Sequence, residues 1–531
     1  MSFGAHQDLV LLALLVAIAA LLVLAPYLRT PYPILLVLGG LALGFVPGIP
    51  TISLPPDVVL VGILPPLLYS AAFYTSLRDL RENIIQISAL AVGLVAATTV
   101  GVAMVAHAFI PGVGWGPAFV LGAIVSPTDP LAATSIAQRL GVPRRIVAIV
   151  EGESLVNDGT ALVLYRVAVV AVLSGSFSVW NAGWRFVWTA AGGIAVGLVI
   201  GFLIAAVRRR IDNPPVEVTI SLLSGYFAYL PAAALGVSGV LSVVTVGVYM
   251  GWRTPELTSV QTRLDGAAMW QILTFVVNAL LFGLVGLQLH HILDTLSSRS
   301  SAELLGDAAL VGLAVIVIRI IWIFPLSYVP WFLWGLSERR DPAPPWQRPA
   351  VVSWMGLRGA VTLAAALALP LTTDAGDPFP DRALIIYLAF AVIVATLVFQ
   401  GLTLPFVIRA LGVESDHLAE KEESKARIHA ADAALARLEE LADEDWVRPD
   451  TADRLRRQMA FRRNRFAARF SEDDDGAIEE QSQAYQRLLR ELLDAEREAV
   501  VALRREGRIN DDVMIRVTRD LDLEDARLDA Q

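Results

Sequence analysis

Cysteine is absent from the 531 residues, and histidine occurs only six times, scattered along the chain. The first absence excludes disulfides and thiolate metal sites. The second leaves no convincing ligand set for a structural zinc. The first 25 or so residues are apolar but lack the basic segment and cleavage site of a secretory signal, so they are expected to form a first membrane span. No nucleophile–base pair or metal motif stands in a plausible setting, which argues against an enzyme, and no cofactor is implied.

What is present in excess is hydrophobicity. Apolar residues make up 55% of the chain and the mean hydropathy is +0.59, whereas soluble domains hold about 45–50% even with glycine counted. The excess lies in residues 1–412, where apolar runs of about 18 or more residues recur, long enough to cross a bilayer. Residues 413–531 are charged, poor in Gly and Pro, and contain no such run. The expectation is a membrane domain over 1–412 and a soluble tail over 413–531. The net charge of −9 belongs to the tail, where acids exceed bases by about ten, and this argues against nucleic acid as a partner.

The apolar runs predict spans near 8–28, 32–48, 56–75, 86–110, 116–138, 145–173, 184–207, 217–234, 237–252, 266–290, 304–335, 350–371 and 381–411. That is an all-α polytopic protein of about thirteen transmembrane helices. Pro231 and Gly236 leave open whether the eighth and ninth spans are one interrupted helix. Arg29, Arg78, Arg81, Arg139, Arg144, Arg145, Arg208, Arg209, Arg210, Arg253, Arg263, Arg339, Arg340 and Arg348 all fall in alternate connections; the opposite connections hold Arg185, Arg299 and Arg382. The positive-inside rule places the first set and the tail in the cytoplasm, and the N-terminus outside. The tail itself reads as helices with one apolar face, from Ala430 to Leu441 and from Tyr485 to Leu503, with a solvated acidic run at Glu472 to Asp475.

Ionisable residues inside spans are expensive and mark ion paths. Three segments carry them. In Ser126-Pro-Thr-Asp-Pro130, two prolines interrupt the fifth span, because each lacks an N–H and clashes with the preceding turn. The freed carbonyls and the Thr128 hydroxyl can coordinate a cation, as broken helices do in transporters. Asp129 reads either as an ion ligand or as the cap of the second half-helix, and the two roles are compatible. In Glu151-Gly-Glu-Ser-Leu-Val-Asn-Asp-Gly159, helical spacing puts Glu153 with Asn157 on one face and Ser154 with Asp158 on the next. This oxygen-rich cluster suits Na⁺, and Asp158 can hold a proton or a cation in turn. A purely structural hydrogen-bonding cluster is the alternative, and Glu151, nearer the membrane edge, reads as structural. The third set is Arg319, mid-way along the eleventh span, and Arg358, between Gly356 and Gly359 in a second interrupted span. Arg319 requires a buried anion; both arginines could serve the fold alone. The two breaks lie seven spans apart, an odd shift that reverses helix direction, as in an inverted repeat whose interrupted helices cross at the site. No clear sequence repeat accompanies it.

SPTDPLAA, EGESLVNDGTALVLY and GLRGAV resemble the cation/proton antiporter family that includes NhaP-type sodium/proton antiporters and animal sodium/proton exchangers. LPPLLYSAAF at 64–73 and FVVNALLFGLVGLQL at 275–289 also fit, and the likeness covers nearly all of 1–412. The resemblance implies a homodimer in the cell (plasma) membrane, each chain having a dimerisation domain and a six-helix core. It implies that Asp158 binds the cation or proton, with Asn157 beside it. Thr128, Asp129 and Ser154 contribute ligands or hold the site, so that Asp158, Ser154 and Thr128 are the expected Na⁺ ligands. Glu153 pairs with a buried arginine, best matched by Arg319, and Arg358 supports the second broken helix. One departure stands out: several relatives carry a Glu in the third span where this chain has Ser70. If Glu153 is locked to Arg319, only Asp158 changes charge, and exchange of Na⁺ for H⁺ is electroneutral, by elevator-like alternating access. K⁺ or Li⁺ as the cation, and a non-transporting sensor with the tail as output, are the rival readings.

Overall fold

Proline and glycine interrupt two of the helices of this chain at mid-span. The structure, a computed structural model, describes residues 5–28, 30–44, 46, 58–175, 179–294, 296, 299–334, 345–413, 418–468 and 477–529. Arg29, Arg339, Arg340 and the acidic run Glu472 to Asp475 lie outside the described residues. The chain divides into two compact units, Met1–Ser415 and Asp416–Gln531.

Among the described residues, each of the thirteen expected spans contains helix. In order these are α1 (Ala5–Leu28), α2 (Tyr32–Gly44), α3 (Val58–Tyr74), a short α4 (Leu77–Glu82) that connects spans, α5 (Ile84–Phe109), α6 (Trp115–Val125) with α7 (Leu131–Arg139), and α8 (Arg144–Ser174). Then come α9 (Val179–Arg208), α10 (Pro214–Ala234), α11 (Gly239–Leu257), α12 (Val260–Asp294), α13 (Ser301–Trp334), α14 (Gln347–Trp354) with α15 (Ala360–Leu367), and α16 (Arg382–Ala410). Among the described residues, seven helices are individually long and apolar enough to cross a bilayer core. The eighth and ninth spans are separate helices: Gly236 takes φ +71°, a left-handed turn that glycine adopts without steric cost, and Asn213 and Ser238 cap the starts of α10 and α11.

The fifth and twelfth spans are broken, as their prolines and glycines predict. Residues 126–130 and 355–359 are not helical, so α6 and α14 each end mid-way and α7 and α15 each begin anew. The two breaks meet directly, the backbone N–H of Asp129 donating to the Leu357 carbonyl at 2.8 Å.

Two apolar clusters organise the unit. One gathers α5, α6, α8 and α13 with both broken helices and α16. The other gathers α3, α9, α10, α11 and part of α12, and meets the first through α12, through Leu162 of α8 and through Ala360 and Ala364 of α15, while Leu155 of α8 packs with Ala72 of α3 and Val244 of α11. Glycines allow close approach between neighbours in two places: a Cβ on Gly40 would run into the α12 backbone at Gly283 and Gly286, and one on Gly251 into Phe73 of α3. Large apolar side chains such as Trp188, Leu198 and Phe202 of α9 point outward, as a lipid-facing surface requires.

Arg208 differs from its reading as a loop charge. It is 3% exposed and pairs at 3.5 Å with Glu217, which is 1% exposed and also accepts from the Thr262 hydroxyl. The sequence offered no periodic signal for this pair, since the two residues sit on opposite sides of a turn.

The second unit contains α17 (Leu418–Leu441), α18 (Pro449–Ala468), α19 (Ala477–Arg505) and α20 (Asp511–Asp529). The helices pack in pairs. Arg456 and Arg463 of α18 bridge to Glu439 and Asp432 of α17, and Leu493 of α19 buries against Leu521 and Leu528 of α20.

Candidate functional site: a buried crossing of two broken helices

Each break leaves two helix ends, four in all, with unsatisfied backbone groups in a region without water. Two side chains of opposite sign meet that need. The Asp129 carboxylate accepts the backbone N–H of Leu131 at 3.0 Å and that of Ala360, and so caps the N-termini of α7 and α15 together. Arg358 does the converse. Its guanidinium donates to the carbonyl of Val125, at the end of α6, at 3.2 Å and to that of Gly356, just past α14. An anion at helix N-termini and a cation at C-termini are what the partial charges there favour. The Arg358 backbone N–H is taken by the Thr396 hydroxyl at 3.1 Å, where α16 loosens into a π-helical turn over Thr396–Gln400. Gly359 is required for the approach, because a Cβ there would overlap the Asp129 carboxylate.

Against this crossing lies the Glu153–Asp158 stretch of α8. Glu153 and Arg319 form a two-pronged pair at 2.5 and 2.8 Å, with exposures of 1% and 0%. Arg319 spends its remaining donors on the Val352 carbonyl. Planar fork-to-carboxylate geometry of this kind is what makes a buried ion pair tolerable. Thr128 ties the pair to the rest. Its hydroxyl donates to Glu153 at 3.3 Å and accepts from the Asn157 amide at 2.8 Å, while its carbonyl accepts from the Ser154 hydroxyl at 2.9 Å. Asn157 Oδ1 is buried without a partner.

Asp158 stands apart from these contacts. It is 6% exposed, and no hydrogen bond or ion pair to its carboxylate occurs among the described residues. It opens instead onto a cavity of about 500 Å³ between the two apolar clusters. Thr128, Asp129 and Ser154 share the cavity wall with it, and Ser70 of α3 faces it from the opposite cluster. The cavity extends to Tyr74, Thr75 and Gln138, beside the arginine-bearing connections at Arg78 and Arg139. Further along α8, toward Leu162 and Tyr229, lies a separate and much smaller cavity of about 40 Å³.

All eight residues singled out in the sequence therefore converge: Thr128, Asp129, Glu153, Ser154, Asn157, Asp158, Arg319 and Arg358. Sequence reasoning missed Thr362, whose buried hydroxyl lacks a partner, and Asn278 of α12, both on the cavity wall. A polar residue in an apolar run was the available signal for each, but threonine in a helix usually bonds back to its own turn. Thr396 and the carbonyls of Val125 and Val352 carried no signal.

Comparison with known proteins agrees with the geometry. The sodium/hydrogen exchanger transmembrane family model matches residues 10–410. An uncharacterized Na⁺/H⁺ exchanger of Mycobacterium tuberculosis is 36% identical over 525 residues, covering 98% of this chain and 96% of that one. The Na⁺/H⁺ antiporter ApNhaP of Aphanothece halophytica is 35% identical over 439 residues, 82% of this chain and 80% of its own length. The sodium proton antiporter MjNhaP1 of Methanocaldococcus jannaschii, solved at pH 8, shares the fold with a TM-score of 0.56 at 20% identity, over 74% of this chain and 99% of that one. A family match across the whole membrane unit, with relatives aligned nearly end to end, means that this chain belongs to the sodium/hydrogen exchanger family.

Proposed function

We propose that this protein exchanges one monovalent cation, Na⁺ in the first instance, for one proton, and that Asp158 carries each in turn. The family is one of transporters, not enzymes. The observation that carries the reading is the contrast on α8 between Glu153, fixed by two bonds to Arg319, and Asp158, unpaired at the floor of a cavity. A carboxylate in such a place is stable only with a proton or a cation beside it. The two ligands then compete for one group, and competition alone yields exchange.

Around Asp158, the Ser154 hydroxyl, the Thr128 carbonyl and hydroxyl, and the orphan Asn157 oxygen supply the neutral oxygens that a hard cation takes. Asp129 serves mainly the two helix ends, while the residue also lines the cavity. With Glu153 charge-locked, the count is one charge for one, and the cycle is electroneutral. The cavity extends from Asp158 toward Tyr74, Thr75 and Gln138, which fits one state of an alternating-access cycle in which the cluster bearing α8 slides against the cluster bearing α3. By the arginine distribution that end of the cavity and the tail lie on the cytoplasmic side, and the family resemblance adds a homodimer in the plasma membrane.

The test is dequenching of a pH dye in everted vesicles on adding Na⁺, Li⁺ or K⁺. Cation-driven proton movement in the parent protein, absent in Asp158→Asn with the protein still folded, is expected. Full activity in that variant removes Asp158 from the mechanism, and a rate that tracks a clamped membrane potential overturns the one-for-one count.

A further inference from the structure

Glu151 takes no part in the exchange just described, yet its surroundings are not those of a structural acid. It lies on α8 seven residues before Asp158, two helical turns away, so the two carboxylates share a face about 10 Å apart along the axis. Both line the same cavity, and Ser154 lies between them on its wall. The neighbouring acids are engaged: Glu153 by Arg319, Asp129 by two backbone N–H groups, and Asp79 by Arg144 at 3.0 Å. No hydrogen bond or ion pair to Glu151 occurs among the described residues. The side chains that face the mouth from other elements are not cationic: Tyr74 and Thr75 of α3, Thr134 and Gln138 of α7, and Asn278 of α12. The arginine nearest in charge, Arg144, is the one paired with Asp79.

We propose that Glu151 is a first cation station at the cavity mouth, from which a hard monovalent cation passes along the Ser154 face to Asp158. The inference rests on Asp158 being the exchanging acid. A carboxylate in a cleft with apolar walls focuses its field into the cleft and raises the local cation concentration. At about 10 Å, through a medium between protein and water, one unit charge alters the occupancy of a second site roughly two- to tenfold. Because Glu151 lies on the side of Asp158 toward the connections that carry Arg78 and Arg139, the effect belongs to that face of the membrane. A structural acid would show no such sidedness.

The experiment is cation-dependent exchange by Glu151→Gln, Glu151→Asp and the parent protein, reconstituted in both orientations, with Na⁺ titrated from one face at a time. Glu151→Gln is expected to raise the half-saturating Na⁺ concentration about two- to tenfold from the arginine-rich face, with the maximal rate and the opposite face unchanged. Glu151→Asp is expected to restore most of the affinity, and added choline chloride to shrink the difference by screening. An unchanged titration, or an equal shift from both faces, overturns the station. Absence of exchange in the parent protein would instead overturn the role of Asp158, so the two failures are distinguishable.

Discussion

The crossing in the membrane unit and the helical pairs of the tail use the same chemical pair, an arginine with a carboxylate, in opposite settings. At the crossing, Glu153 and Arg319 are 1% and 0% exposed, and four hydrogen bonds hold the guanidinium. In the tail, Glu439 and Arg456 are 59% and 39% exposed and their contact competes with water. Burial turns a weak, replaceable contact into one whose single-sided loss strands a charge. The buried charges at the crossing are thus held by such contacts, while the exposed pairs of the tail are individually replaceable. The exceptions on the cavity wall are Asp158 and Glu151, which have no such partner among the described residues.

That contrast can be broken most forcefully at Arg319. Arg319→Ala leaves Glu153 charged and alone, and a loss of about 3–5 kcal/mol is expected, read as a collapse of folded yield in detergent. Replacing both partners, Glu153→Gln with Arg319→Met, should recover much of that yield. If the single and double variants are equally unstable, the pair is not what holds α8 to α13. Next in size is Gly359→Ala, whose new methyl group meets the Asp129 carboxylate. Overpacking of that kind costs about 1–3 kcal/mol, and transport should fall further than thermal stability because the collision is at the site. A variant that transports like the parent would show that the crossing relaxes freely.

The smallest effect is in the tail. The Arg456 guanidinium, bonded to Glu439 at 2.8 Å, holds that carboxyl below the usual range. A depressed carboxylate contributes stability above its ordinary pKa of about 4.3, and the contribution fades as pH falls through the folded-state value. Hydrogen exchange of the α17 and α18 amides should accelerate slightly on acidification below that range. Glu439→Gln should remove that component and change nothing in the membrane unit. A large change in either unit would contradict the ranking.

How much of this was legible in the sequence depends on how local the cause is. Pro127, Pro130, Gly356 and Gly359 announce their breaks because they act on their own backbone. Ser154 and Asp158 could be placed on one face from helical period alone. Glu153 and Arg319, 166 residues apart, were joined only through family resemblance and the demand that each needs a partner. The double caps made by Asp129 and Arg358 were half legible: capping of α7 follows from sequence, but the second helix arrives through tertiary structure. Arg208 was misplaced because a loop position near a helix end gives no hint of how deeply the turn is folded inward. Thr362 and the cavity itself depend on the gap between two packed clusters, which no single segment encodes.

The double capping has a further consequence. Asp129 and Arg358 carry opposite charges, as do Glu153 and Arg319, so under the proposed mechanism the crossing is neutral when Asp158 holds a proton or a cation and carries an uncompensated charge when it is empty. Carrying that empty, charged state past a hydrocarbon barrier has a large solvation cost. In a cycle of that kind slippage would be opposed by the dielectric itself, with no separate latch needed to hold back the unladen carrier.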